Sequence, residues 1–75
     1  MKTTMPTLDA VVLHHARDCV ARAETAMVRQ ELNLTALIVG GYPTARIEIA
    51  LSHMRANLQR LRDALRTVEM RYPEA

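Results

Sequence analysis

Seventy-five residues make one small domain at most, and a core of that size supplies only about 3–5 kcal/mol, so natural chains this short usually recruit a disulfide, a metal or a partner. A single cysteine, Cys19, excludes an intrachain disulfide, and eleven of the apolar residues are alanines that each bury little area. Ten basic residues against eight acidic ones leave a net charge of +2, a milder and less clustered excess than a dedicated nucleic-acid binder carries.

The opening residues "MKTTMPT" have no apolar run behind them and do not read as a secretory signal. Residues 1–7 are expected to be a flexible lead-in. Nothing approaches the roughly 18 consecutive apolar residues that mark a bilayer span, so no membrane insertion is expected. The default location is the cytoplasm, where a free thiol is ordinary.

The first periodic segment starts at Leu8, with Thr7 placed to cap it and Asp9 in its first turn. Leu13, Ala16, Val20, Ala23, Met27, Gln30, Leu34 and Leu37 recur at steps of three and four. Val12, Cys19 and Ala26 run beside them at intervals of seven, widening the apolar face beyond what one neighbouring helix covers. Small residues at 16, 19, 23 and 26 would let another helix approach closely. The stretch "LNLTALIV" leaves open whether the helix breaks near Asn33 or runs on to Val39, with Gly40 as the expected C-terminal cap in either case.

A glycine pair and a proline then mark a turn over 40–43. Beyond it, Ile47, Leu51, Met54, Leu58, Leu61, Leu65, Val68 and Tyr72 alternate at steps of four and three without interruption. Such a seam is what a helix packed lengthwise on another helix requires. Thr44 is the expected N-cap, and Glu48 sits where the helix dipole favours a negative charge. Pro73 ends the pattern and pushes Tyr72 out of the α region. The reading is a single all-α domain, an antiparallel hairpin with helices over about 8–39 and 44–72. Two long helices joined by so short a turn must lie side by side, and the surplus apolar face is expected to be completed by dimerisation or by a partner protein.

Candidate sites are sparse. His15 and Cys19, four apart, share a helix face at a spacing compatible with a metal, but two ligands do not close a zinc site, and His14 and His53 do not complete one. Ser52 and His53 are sequence neighbours and point in different directions, so they cannot act as nucleophile and base. "VGGYP" lacks the further glycine and the Lys-Ser/Thr ending of a phosphate loop. No catalytic, cofactor or metal residues are therefore assigned, and no enzyme activity is expected. Asp18 with Arg22 and Arg66 with Glu69 are spaced for helical ion pairs. The segment "TARIEIALSHMRANLQRLRDAL" superficially suits a DNA-reading helix-turn-helix, but its turn would fall at "ALSHM", which the seam crosses without a phase shift. The alternative function is a homodimeric four-helix-bundle regulatory or nucleic-acid-binding protein, with RNA held by Arg55, Arg62 and Arg66. A solvated basic face accounts for the same residues.

"GGYP" at Gly40–Pro43, the seam that follows from Ile47, and "MRYP" around Arg71 and Tyr72 together resemble the small E-type co-chaperones of type III secretion needle subunits (the YscE/SsaE group). The resemblance covers roughly residues 30–72. It departs at "TARIEI", where that family has a Gln-rich, aromatic-bearing start to its second helix, and in an Arg-Tyr pair that falls slightly late. It implies a cytoplasmic helical hairpin that pairs with a helical-repeat co-chaperone and, with it, keeps an aggregation-prone needle subunit monomeric until export. On that reading the partner-docking surface is Val12, Ala16, Cys19, Ala23 and Ala26.

Overall fold

The computed structural model describes residues 7–72. The lead-in proposed for residues 1–7 therefore lies, apart from Thr7, outside the described residues, as does Pro73. Two helices form the fold: α1, Leu8–Gly40, and α2, Ala45–Arg71, packed against each other as an all-α hairpin. The radius of gyration is 17.4 Å, against about 11 Å for a compact domain of this length. The molecule measures 58 × 28 × 12 Å, one helix thick.

The seam inferred from spacing is where the two helices meet. Leu13 and Val20 of α1 and Leu51 and Leu58 of α2 are buried, and every fully buried side chain among the described residues belongs to this aliphatic set. Around them Ala16, Ala23, Met27, Gln30, Leu34 and Leu37 on one helix, and Ile47, Met54, Leu61, Leu65, Val68 and Tyr72 on the other, are half-buried. A two-helix layer encloses few side chains on all sides, so most members of the zipper stay half-buried.

The helix ends differ from the sequence reading by small, explicable steps. α1 runs unbroken through Asn33, whose amide stays local, with Nδ2 donating to Gln30 Oε1 at 3.5 Å. Its capping glycine is Gly41, not Gly40: among the described residues Gly41 alone has a positive φ, of 73°. The Gly41 N–H donates to the Ile38 carbonyl at 3.1 Å and the Tyr42 N–H to the Leu37 carbonyl at 2.9 Å, the paired bonds of a Schellman ending. Gly40 stays helical because it is the last residue inside those bonds. A Cβ there would come within 2.6 Å of the Tyr42 ring, which covers that stretch of backbone. At the start of α1, Thr7 caps as expected, its Oγ1 accepting from the Ala10 N–H at 3.1 Å. Thr44 does not. It takes up a helical conformation (φ −114°, ψ −2°) with no side-chain capping bond, and its hydroxyl instead donates to Glu48 Oε2 at 2.9 Å. Tyr72 leaves the helix at φ −129°, ψ 58°.

With so few sealed side chains, single truncations should be severe. Leu58→Ala is expected to remove about 2–4 kcal/mol, most of the stability of an isolated chain, so thermal unfolding followed by far-UV circular dichroism should show the helices melting near room temperature. By contrast Arg62→Ala, on the exposed edge, should shift stability by less than about 1 kcal/mol. Gly41→Ala forces a side chain into the left-handed region and should cost about 1–2 kcal/mol in the same assay.

Candidate functional site

The edges of the hairpin differ in chemistry, and two ion pairs fix which residues lie on which edge. Arg17 Nη2 lies 3.6 Å from Glu69 Oε2, and Arg62 Nη2 donates to Glu24 Oε2 at 3.3 Å. Seven residues forward along α1 thus match seven residues back along α2, the heptad register of an antiparallel pair. Each partner remains roughly half exposed, so each pair contributes at most about 1 kcal/mol and selects register more than it stabilises. Glu69, spaced to pair with Arg66, reaches across the hairpin to Arg17 instead, because its position flanks the seam. Asp18 and Arg22 do pair along α1, at 3.0 Å. Of the arginines considered for nucleic acid, Arg62 is occupied by Glu24.

The opposite edge carries no charge along most of its length. Continued around the helices, the same register runs Val12, Cys19 and Ala26 of α1 antiparallel to Ala50, Asn57 and Ala64 of α2. Val12 is 36% exposed, Ala26 is exposed and Cys19 is half-buried. Ala16 and Ala23, grouped with them from the sequence, are half-buried within the seam series that includes Leu13 and Val20. They form the floor beside this edge and are already engaged by the hairpin. Cys19 is half-buried like them, and of the five only Val12 and Ala26 are exposed.

Cys19 Sγ and His15 Nε2 lie 3.5 Å apart, a contact within one helix face. Among the described residues no group of three or more His, Cys, Asp or Glu side chains is placed to hold a metal ion. Ser52 and His53 are both exposed on α2. No helix is long and apolar enough to cross a membrane.

A third surface escaped the sequence reading. Ala21, Thr25, Val28, Leu32, Thr35 and Val39 follow one another along α1 at steps of four and three, on the side turned away from α2, and all six are exposed. Val28, Leu32 and Val39 are 53%, 65% and 82% exposed. The two threonines add little polarity, because each hydroxyl turns back onto its own helix: Thr25 Oγ1 donates to the Ala21 carbonyl at 3.0 Å and Thr35 Oγ1 to the Glu31 carbonyl at 3.1 Å. Their methyl groups are left to face outward. Where the row is smallest, Ala21, Thr25 and Ala26 lie in a shallow hollow of about 330 Å³ rimmed by Arg22 and Arg29. The equivalent row on α2, namely Ser52, Ala56, Gln59, Asp63, Arg66 and Met70, is polar and charged. The signal was present in the sequence as a second step pattern outside the face assigned to the first helix, where two threonines interrupt its apolar residues.

At the turn the two helices share a charge-free end. From Leu32 to Ala45 the chain holds no ionisable acid or base apart from the Tyr42 phenol, and Leu32, Ile38, Val39 and Tyr42 are all more than 60% exposed there. Compared with known proteins, the chain matches no family model, no curated protein and no solved structure.

Proposed function

We propose that this chain is a small non-enzymatic co-chaperone of the cytoplasm. In this reading the hairpin docks a helical-repeat partner chaperone through apolar helix faces, and the two together keep a type III secretion needle subunit monomeric before export. The observation that carries the reading is the imbalance of apolar surface. Four aliphatic side chains are sealed inside, while Leu8, Val28, Leu32, Ile38, Val39 and Met70 are each more than half exposed. Scattered apolar residues on a surface need no explanation. A charge-free end and two uncharged helix faces on a chain of this size do, and coverage by another protein's helices explains them. The "GGYP" turn, the seam after it and the Arg71–Tyr72 pair support the more specific assignment through the resemblance they carry. The uncharged edge of Val12, Cys19 and Ala26, exposed at its first and last members, is the docking surface in this reading.

Co-expression with the helical-repeat co-chaperone and the needle subunit of one secretion system, followed by size-exclusion chromatography with light scattering, tests the proposal. The wild-type chain is expected to elute in a complex holding all three proteins. Ala26→Arg, chosen because the side chain is exposed and outside the seam, should abolish that complex while the circular dichroism of the variant stays helical. A wild-type chain that binds neither protein would refute the assignment. Normal co-elution of Ala26→Arg would move the docking surface elsewhere on the hairpin.

A further inference from the structure

We infer that the outer row of α1 is a self-association surface, on which a second copy of this chain packs its own α1 in parallel, forming a two-fold dimer of hairpins. The inference does not depend on which protein the Val12–Cys19–Ala26 edge engages, because that edge meets the row only where Ala26 borders the hollow beside Ala21 and Thr25.

Three observations converge on this surface. The row repeats at heptad spacing from Ala21 to Val39, roughly 27 Å of helix, and a helix needs that period only where another helix lies along it. Its polar members are internally satisfied, since the Thr25 and Thr35 hydroxyls bond to carbonyls of α1 itself, so covering the row strands no hydroxyl. The chain also has area to spare. It exposes 6237 Å², about 1,500 Å² more than a compact monomer of its mass would, and a standard interface takes about 800 Å² from each partner.

Charge selects both the occupant and its direction. The row is bordered on one side by Arg22 and Arg29 and on the other by Glu24 and Glu31. In an antiparallel helix pair like borders meet, which for two copies would set arginine against arginine and glutamate against glutamate. In a parallel pair each border meets the opposite border of the partner. Two copies of α1 laid parallel therefore bring the basic side of each against the acidic side of the other. The flanking position five residues ahead of Glu24 is Arg29, so the pair Glu24–Arg29 forms across the interface twice, once on each side of the two-fold axis. Glu24 keeps about half of its side-chain surface while bonded to Arg62, and so remains open to a second arginine. Arg17 and Arg22, the like-charged pair this arrangement also brings near, are each already partnered within their own chain, by Glu69 and Asp18. The small residues at 21 and 25 allow close approach at one end. Val28, Leu32 and Val39 meet their own counterparts toward the turn.

The 75-residue chain, purified alone, tests this by sedimentation equilibrium over a wide concentration range. The expected mass is twice the 8.5 kDa of one chain. Leu32→Glu should return the mass to that of a monomer with helicity retained, since residue 32 is 65% exposed and outside the hairpin seam. Direction is read separately with Cys19→Ser/Val39→Cys under mild oxidation. Parallel packing sets residue 39 beside its counterpart and should give a rapid disulfide-linked dimer, whereas antiparallel packing centred on the row sets it near residue 21, about 27 Å away. A wild-type chain that stays monomeric at high concentration overturns the inference. So does a dimer that survives Leu32→Glu, or one in which position 39 fails to cross-link.

Discussion

The hairpin depends on one interaction, the interlocking of aliphatic side chains at heptad spacing along α1 and α2. Leu13, Val20, Leu51 and Leu58 are kept from water by half-buried neighbours on each side. Burying one such side chain contributes about 1.5–3 kcal/mol, and this seam must offset most of the entropy of ordering two long helices. Everything else follows from its narrowness. The turn has to be tight to bring the two rows into phase, which is why a left-handed glycine at position 41 and the Schellman bonds around it matter. The ion pairs Arg17–Glu69 and Glu24–Arg62 flank the seam and set its register, although their exposure limits what they contribute to stability.

The same narrowness makes the outside of the molecule informative. A layer one helix thick has nearly as much outer surface as inner contact, and ordinary solvated helices fill that surface with charge. α2 does so with Arg60, Asp63 and Arg66. α1 does not: from Ala21 to Val39 its outer row presents methyl groups and aliphatic side chains, and its uncharged edge presents Val12, Cys19 and Ala26. One helix thus has three faces suited to helical neighbours, and α2 covers one of them. This asymmetry between the helices is the strongest physical pointer to a role in assembly. It leaves two unlike surfaces open, an uncharged edge that we propose docks a partner and an outer row that we propose packs on a second copy.

How much of this was legible in the sequence depended on whether the signal was local. The seam from Ile47 to Tyr72 and its counterpart from Leu13 to Leu37 could be read directly, because a step pattern of three and four states which side of a helix is buried. Thr7 as a cap, the Asp18–Arg22 pair and the exit of the chain at Tyr72 are equally local. The choice between Gly40 and Gly41 as the cap was not legible, since both are free to adopt a positive φ and hydrogen-bond geometry at the helix end decides between them. Nor was the conduct of Thr44, whose hydroxyl had two acceptable partners, the helix backbone or the Glu48 carboxylate.

By itself the sequence determined two long amphipathic helices, a turn between them and a core too thin to leave the surface plain, since these follow from side-chain periodicity and composition. Only the tertiary structure decided which apolar residues were surplus. Once α2 occupies one face of α1, Val28, Leu32 and Val39 are left outside. Glu69 likewise turns from its own helix toward Arg17. A helix apolar on several sides carries no mark of which side its neighbour will take, and the position of that neighbour is set by contacts between residues far apart in the chain.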